Sequence, residues 1–231
     1  MCTLTYVPNQ QNFTLTNNRD EQNTRPTSAL PKWHLYKEQK LFFSRDPEAG
    51  GTWLGHHPNG RIVCLLNGAF TLHKRELPYR MSRGLVVLEA LCADNATDFA
   101  AQFSFEGIEA FTLIWVESFS ETKLWELRWD QKKAYFKALD PKVPAIWSSA
   151  TLYDETVKQK RESWFSDWLE AERTIRDFHY EAGQDGNPAE AVCMNRKGGG
   201  TVSISAYQKQ GETLNYFHHN LRNEEKTELQ F

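Results

Sequence analysis

The chain has 231 residues, of which 40% are hydrophobic and 25% are charged, with 27 Lys and Arg against 30 Asp and Glu. These proportions are those of a globular protein and exclude a disordered chain, and a net charge of -3 excludes the basic surface that nucleic-acid binding requires. The longest apolar runs, at 84–88 and 111–116, are far shorter than the roughly 20 residues that cross a bilayer. We therefore expect neither nucleic acid as a partner nor a transmembrane segment.

The start of the chain and the cysteines indicate a compartment. The first residues contain no basic leader and no apolar signal core, so a secretory signal is not expected. The four cysteines form no C-x-x-C pair and are too sparse for a disulfide framework. We expect a cytoplasmic protein with reduced thiols.

The first predicted elements are two β-hairpins. Apolar and polar residues alternate on both sides of a turn at 8–12, and the second strand continues into Asn18-Arg19-Asp20-Glu21. The segment up to Gly51 has no strong period and predicts a loop with short strands. Two apolar runs then flank Pro58-Asn59-Gly60, which predicts the second hairpin.

Two helices and two strands are predicted next. Apolar residues recur at helical spacing over 82–93, and Asn95 with Asp98 predicts the cap of a short helix through 103. The apolar run at 111–116 predicts a strand buried on both faces, and 125–129 alternates like a strand with one buried face.

The last third of the chain contains one long helical pattern, at 154–176, and strands at 201–206 and 213–217. Hairpins take the place of repeated strand-helix-strand units in this order of elements. We therefore predict an α+β fold of mostly antiparallel sheets with segregated helices, in a single domain over residues 1–231.

Cys2 is the position with the clearest chemical signal. If Met1 is removed, one residue carries both a thiol and a free α-amine, whose ordinary pKa values are about 8.5 and about 8. The amine is then suited to take the thiol proton near neutral pH, which is the arrangement of an N-terminal nucleophile. The alternative is a cysteine that only packs inward from a strand.

The hairpin is expected to bring the charged motif at 18–21 beside Cys2. A guanidinium at this place would favour the thiolate, and a carboxylate would accept a hydrogen bond from the α-ammonium and orient it. Arg19 and Asp20 fit these two roles. The alternative is a solvated turn cluster without a role.

Other residues are weaker candidates. The pairs His56-His57 and His218-His219 lack the spacing of metal ligands, so we expect surface or loop histidines and no metal site. The glycine-rich segment 196–201 lacks the pattern of a phosphate loop and predicts a turn into the next strand.

Several short motifs, in order along nearly all of the chain, resemble those of the NRDE family, also known as the transport and Golgi organisation protein two family. The matching residues are Met1-Cys2, Asn18-Arg19-Asp20-Glu21, Gly50-Gly51-Thr52-Trp53-Leu54-Gly55, Asn59-Gly60-Arg61, Leu66-Asn67, Ser82-Arg83-Gly84 and Gly200-Thr201. The combination of the second and third motifs is specific.

The resemblance implies an N-terminal nucleophile hydrolase-like fold, a four-layer αββα sandwich of two mostly antiparallel sheets between helical layers. It also implies kinship with cysteine amidases such as choloylglycine hydrolases and penicillin V acylases. Their nucleophile matches Cys2, and the arginine and aspartate near it match Arg19 and Asp20. Asn67 matches an asparagine that helps to hold the oxyanion.

Two further residues are candidates on the same grounds. Asn18 begins the charged motif, and Ser148 stands where the acylases have a second asparagine. A hydroxyl is shorter than an amide and has one donor, so Ser148 departs from the acylase pattern.

Two functions are compatible with these residues. In the first, the protein is an N-terminal cysteine amidase-like hydrolase that cleaves an amide or related acyl bond of a small molecule through an acyl-enzyme, without a cofactor. In the second, the same scaffold binds or carries an apolar small molecule such as an acyl chain or haem, which the change at Ser148 favours. A partner-binding domain with exposed aromatic residues is a lesser alternative.

Overall fold

The computed structural model describes residues 2–9, 12–118 and 121–231, with the backbone alone at Cys2. Its strands are β1 (Cys2–Asn9), β2 (Asn12–Gln22), β3 (Lys32–Tyr36), β4 (Gln39–Phe43), β5 (Leu54–His57), β6 (Arg61–Asn67), β7 (Phe111–Glu117), β8 (Lys123–Trp129), β9 (Ala134–Leu139), β10 (Ala145–Ser148), β11 (Asn195–Arg196), β12 (Gly199–Gln210), β13 (Thr213–Asn220) and β14 (Glu225–Gln230). Its helices are α1 (Arg83–Cys92), α2 (Ala96–Gln102), α3 (Glu155–Glu170) and α4 (Ile175–Glu181).

The chain divides into two compact units. Met1–Arg25 and Lys142–Phe231 form the first unit, and Pro26–Pro141 forms the second. Each unit has its own antiparallel sheet and its own helices, which confirms the predicted α+β class. The single domain over 1–231 stays a prediction.

The first unit is built on a seven-stranded sheet in the order β10-β1-β2-β12-β13-β14, with β11 paired to β12. Helices α3 and α4 pack together through Phe165, Trp168 and Phe178, and Val7 of β1 and Ile146 of β10 contact this cluster. Since side chains alternate between the faces of a strand, the odd-numbered residues of β1 lie on the face that carries the helices. This face therefore also receives Thr3 and Thr5.

The second unit is a seven-stranded sheet in which β3 to β9 lie side by side in chain order. Helices α1 and α2 cover it, and the core between them contains Val87, Leu91 and Phe99 of the helices with Val63 and Leu113 of the sheet. The structure contains both predicted hairpins and the helix predicted over 82–93. It also contains the predicted cap, since Asn95 Oδ1 accepts a hydrogen bond from Asp98 N. Within the described residues, no helix has the length and apolarity needed to cross a bilayer.

The predicted helix over 154–176 is two helices in the structure. Glu172 has a φ of 52°, in the left-handed region that ends a helix. The Thr174 side chain then accepts a hydrogen bond from Asp177 N and caps α4. A local backbone change, invisible in the apolar period, separates the two elements. In the first hairpin, β1 extends to Asn9, while 10 and 11 of the predicted turn lie outside the described residues.

The glycines of two sequence motifs pack backbone against backbone in the second unit. A Cβ placed on Gly51 would lie 2.2 Å from the carbonyl carbon of Gly84 and 2.5 Å from the nitrogen of Leu85. Thr52 N also donates to Gly84 O at 3.1 Å. The segment 50–55 thus packs directly against the first turn of α1, where a larger side chain at Gly51 would clash with the backbone.

We expect Gly51→Ala to lower the free energy of unfolding by about 3 kcal/mol, because backbone atoms cannot move aside as a flexible side chain would. The matched control is Gly186→Ala, where the nearest atom to a new Cβ is 3.7 Å away and the expected change is under about 1 kcal/mol. Urea unfolding of the two variants measures the difference. Equal stability of the two variants would contradict the close packing.

Candidate active site

Residues of four neighbouring strands, β10, β1, β2 and β12, lie together at one end of the first unit's sheet. Cys2, the first residue of β1, lies directly opposite Arg19 of β2, and Thr3 lies opposite Ser148, the last residue of β10. On the other side of β2, Asp20 lies opposite Thr201 of β12. The register therefore brings the predicted residues Cys2, Arg19, Asp20 and Ser148 to the same end of one sheet. The side chain of Cys2 and the whole of Met1 lie outside the described residues.

Arg19 and Asp20 occupy opposite faces of this sheet because they are neighbours in an extended strand. Asn18 and Asp20 lie on the face that carries the helices, and Arg19 lies on the other face, where it is 5% exposed. The Glu21 carboxylate is 4.0 Å from the Arg19 guanidinium. The catalytic roles assigned to Arg19 and Asp20 stay predictions.

The Asp20 carboxylate is fully buried and held at both oxygens. Tyr153 donates its hydroxyl hydrogen to Oδ2 at 2.7 Å, and Thr201 donates to Oδ1 at 2.7 Å. Burial raises the pKa of Asp20 above its ordinary value, while the charge of the amino terminus, the Thr201 bond, the charge of Arg161 and the Tyr153 bond lower it. The pKa of Tyr153 is also raised, chiefly by burial, so its phenol stays protonated and remains a donor.

A buried arginine supports this carboxylate from α3. The Arg161 guanidinium lies 3.6 Å from the centre of the Tyr153 ring and donates to Thr3 Oγ1 and to the carbonyls of Glu190 and Ala191. Its side chain is completely buried. The same guanidinium thus reaches the residue that follows Cys2 and the tyrosine that binds Asp20.

Asn18 belongs to a second chain of buried hydrogen bonds, between β2, α4 and β1. Its amide nitrogen donates to the carbonyls of His179 and Val192, so its Oδ1 accepts from His179 Nδ1 at 2.6 Å. Burial lowers the pKa of His179 to about 3, and the neutral ring then accepts at Nε2 from Thr5 Oγ1 at 2.7 Å. Asn18 therefore ties α4 to the sheet, and a catalytic role for it stays a prediction.

Asn67 is the last residue of β6, in the second unit, where it lies opposite Phe111. Gly68 follows with a φ of 79°, its nitrogen donates to Ala110 O at 3.0 Å, and its carbonyl accepts from Thr112 Oγ1 at 3.0 Å. The chain that leaves Asn67 is thus held by two hydrogen bonds. The oxyanion role of Asn67 stays a prediction, as does that of Ser148.

The side chains of three cysteines are described, and none of them is fully exposed. Cys64 is buried, and Cys92 and Cys193 are half-buried. Burial is the main cause that raises the pKa of Cys193 to about 11, and the negative charge of Asp20 adds to it. Burial also raises the pKa of Cys92. Near neutral pH these two groups are therefore thiols, which are poor nucleophiles.

The expectation of surface or loop histidines is wrong for three of the four residues named. His56 of β5 and His218 and His219 of β13 are all buried. His218 Nδ1 shares a hydrogen bond with Ser205 at 2.8 Å, and His219 is bonded to Tyr180. Among the described residues, no three His, Cys, Asp or Glu side chains come together as a metal-binding group.

The buried histidines predict a loss of stability in mild acid. Burial lowers the pKa of His56 to about 3 and of His218 to about 4, and His179 behaves in the same way. In the unfolded chain these histidines take up a proton near pH 6.5. Their contribution to the free energy of unfolding is therefore fully present above that pH, and it is lost as the pH falls toward the pKa values of the folded state. The expected loss per histidine is about 1 kcal/mol per pH unit.

Urea unfolding at pH 7.5, 6.5 and 5.5 measures this loss. Burial raises the pKa of Asp20, and this shift increases stability as the pH falls, opposite to the effect of the histidines. A histidine variant therefore isolates the histidine contribution better than the wild-type slope of unfolding free energy against pH does. We expect His218→Gln to reduce the slope by about 1 kcal/mol per pH unit, because this histidine no longer titrates. Equal slopes for the two proteins would contradict a neutral buried His218.

Four residues of these networks are absent from the sequence-based site: Tyr153, Arg161, His179 and Thr201. Two of them have a feature in the sequence that could have identified them. Arg161 is a charged residue within the apolar pattern of a helix, and Thr201 belongs to one of the short motifs. Tyr153 and His179 had none, because their partners lie far away along the chain.

Comparisons with known proteins agree with this architecture. The family described as Transport and Golgi organisation 2 matches residues 1–182. No curated protein matches the chain in sequence.

Several solved structures resemble the chain over nearly its whole length. A variant of the conjugated bile acid hydrolase from Clostridium perfringens is 8% identical, with a TM-score of 0.61 over 99% of this chain and 92% of that chain. Penicillin V acylase from Agrobacterium tumefaciens is 7% identical, with a TM-score of 0.58 over 99% and 86%. The N-acylethanolamine-hydrolyzing acid amidase ortholog from Caenorhabditis elegans is 12% identical, with a TM-score of 0.57 over 89% and 92%. At these identities the likeness concerns the fold, and it confirms the predicted N-terminal nucleophile hydrolase-like fold.

Proposed function

The chain belongs to the Transport and Golgi organisation 2 family, and on this premise we propose that it is a hydrolase that cleaves an amide or related acyl bond through Cys2. The observation that carries the proposal is the register of β1 and β2 at one end of the first unit's sheet. Cys2 lies opposite Arg19, and the next residue of β2 is a buried carboxylate held by two hydroxyl groups. The amidase-like fold of the structural neighbours supports it, and one of them was also solved with alanine in place of the cysteine at its second position.

The proposed reaction starts from a chain that has lost Met1. The α-amine of Cys2 takes the thiol proton, and the thiolate attacks the carbonyl carbon of the substrate. The C–N bond then breaks, the leaving nitrogen takes the proton from the ammonium, and the acyl group stays on sulfur. Water attacks this thioester with the amine as base, which releases the carboxylic acid and restores the thiol.

Five other side chains have supporting roles in this proposal. Arg19 favours the thiolate by its positive charge, and Asp20 orients the ammonium. Asn67 donates to the developing oxyanion, for which such a donor contributes about 3 kcal/mol. The hydroxyl of Ser148 is a second, shorter donor, and Asn18 keeps β2 attached to α4.

The direct test is the intact mass of the purified protein before and after a brief pulse of sub-stoichiometric iodoacetamide, followed by peptide mapping. We expect a mass without methionine and alkylation of Cys2 well before Cys193, whose thiol has a pKa raised to about 11 by burial. A retained Met1, or a Cys2 that reacts no faster than the other thiols, would sink the proposal. The first substrates to try are the three amide classes named for the neighbours: a conjugated bile acid, penicillin V and an N-acylethanolamine.

A second candidate is a binding or trafficking protein for an apolar small molecule on the same scaffold. The feature in its favour is Ser148, which, by the resemblance to the acylases, takes the place of one of their asparagines. Spectroscopic titrations with haem and with a fatty acyl ligand test it, and the absence of saturable binding to both would reject it.

A further inference from the structure

The proposed reaction uses the Asp20 carboxylate but not the two hydroxyl groups that hold it. Tyr153 follows β10, and Thr201 lies near the start of β12. Each donates to a different oxygen of Asp20, at 2.7 Å. Resting on the proposed function, we propose that Tyr153 and Thr201 are positioning residues that hold the Asp20 carboxylate for the α-amine of Cys2.

The register places this carboxylate at the start of β1. Since Cys2 lies opposite Arg19 in an antiparallel pair, Asp20 is one position beyond the first residue of β1. Removal of Met1 leaves the amine of Cys2 at that end of the strand. A charged carboxylate there attracts the ammonium that forms when the thiol gives up its proton.

Both hydroxyl groups are themselves oriented. Thr201 Oγ1 accepts a hydrogen bond from Met194 N at 2.8 Å, so its own hydrogen is directed at Asp20. The Tyr153 ring lies against the Arg161 guanidinium, which is bound to two backbone carbonyls of residues 190 and 191. Neither donor can turn away without breaking a second contact, so the carboxylate has a fixed direction.

The two bonds also favour the charged form of the Asp20 carboxylate. Burial works against the anion and raises the pKa of Asp20, whereas the charge of the amino terminus, the two donors and the charge of Arg161 act to lower it. Other ionisable groups close to this cluster are Cys193, whose pKa the charge of Asp20 raises, Arg196, whose guanidinium lies 5.2 Å from the centre of the Tyr153 ring, and Arg19 and Glu21 on the same strand as Asp20. If one donor is lost, protonation of Asp20 becomes easier and the ammonium loses its partner.

The test is the pH profile of Cys2 alkylation by iodoacetamide, followed by peptide mass spectrometry. We expect Tyr153→Phe and Thr201→Val to move the midpoint up by about one pH unit and to slow labelling at pH 7 about tenfold, because a thiolate without a stable ammonium beside it forms only at higher pH. The rate at the high-pH plateau is expected to stay unchanged. Thr201→Ser, which keeps the hydroxyl, is expected to restore the wild-type midpoint.

The matched control is Tyr180→Phe, which removes the hydroxyl of a half-buried tyrosine in the same unit, one hydrogen-bonded to His219 instead of Asp20. Its midpoint is expected to equal that of the wild type. A wild-type midpoint in both Tyr153→Phe and Thr201→Val would overturn the positioning role and leave the proposed function standing. A lower plateau with an unmoved midpoint would overturn it too, because that is the result of a merely structural role.

Failure of the proposed function has a different signature. In that case wild-type Cys2 shows no fast labelling at any pH, and the positioning role falls with it. If Tyr153→Phe does not fold, the pair Thr201→Val and Thr201→Ser decides the question by itself.

Discussion

Replacing Arg161 by methionine is expected to lower the free energy of unfolding by about 4 kcal/mol, one of the two largest effects that we predict. The guanidinium is completely buried, donates to Thr3 Oγ1 and to two backbone carbonyls, and lies 3.6 Å from the ring centre of Tyr153. Methionine fills much of the space but leaves these acceptors without the arginine donor and removes one of the positive charges that act on Asp20. Urea unfolding at pH 7.5 measures the change.

Lys160→Met is the matched control for Arg161→Met. Lys160 is the preceding residue of α3. Its side chain is 48% exposed, and its ammonium forms an ion pair with Glu190 at 2.6 Å. Because exposed pairs contribute little, we expect a loss below about 1 kcal/mol. The double variant with Asp20→Asn is expected to lose less than the sum of its single variants, since it removes both members of a buried charge pair. A change below 1 kcal/mol in Arg161→Met would contradict the role of this guanidinium.

Cys2→Ala is expected to abolish turnover of any amide substrate that the wild type cleaves, by roughly 10³-fold or more, because the proposed reaction has no other nucleophile. Cys92→Ala is the control: it removes a half-buried thiol in the second unit and is expected to keep wild-type turnover. A steady-state assay with the best of the three amide probes measures both variants.

A one-residue insertion separates the thiol from the amine. If glycine is inserted between Met1 and Cys2, the thiol remains but the free α-amine belongs to another residue. We expect the same loss of turnover as in Cys2→Ala, since the internal base is gone. Full turnover in either variant would rule out the N-terminal nucleophile. The binding function predicts that both variants still take up the apolar ligand.

The elements found from the sequence are those with a buried face. Helix α1 and strand β7 have strong apolar patterns, because each contributes to the core of the second unit. Strands β9 and β14 were missed because none of their side chains is fully buried. Their pairing comes from backbone hydrogen bonds to β8 and β13, which leave no apolar pattern in the sequence.

The histidine pairs show that burial of polar residues is also not predictable from the sequence. A polar residue type predicts exposure, yet His56 and His218 are buried and their pKa values are lowered to about 3 and about 4. Composition cannot predict this, because burial depends on which strands become neighbours. The Ser205 partner of His218 lies on the adjacent strand, directly opposite it in the register.

The sequence by itself determined the chemical candidates and their approximate meeting place. A cysteine at position 2 and a charged motif on the second strand of a hairpin are local features, and a hairpin register follows from a short turn. Only the tertiary structure decided what surrounds them. The two donors to Asp20 come from 133 and 181 residues away along the chain. Strand alternation turns Asp20 toward the helix-bearing face and Arg19 toward the other, and α3 brings a buried guanidinium against the ring of Tyr153, which binds the carboxylate. Contacts between residues so distant in sequence exist only after the chain has folded, because side-chain burial and strand order are properties of the whole sheet and not of any one segment.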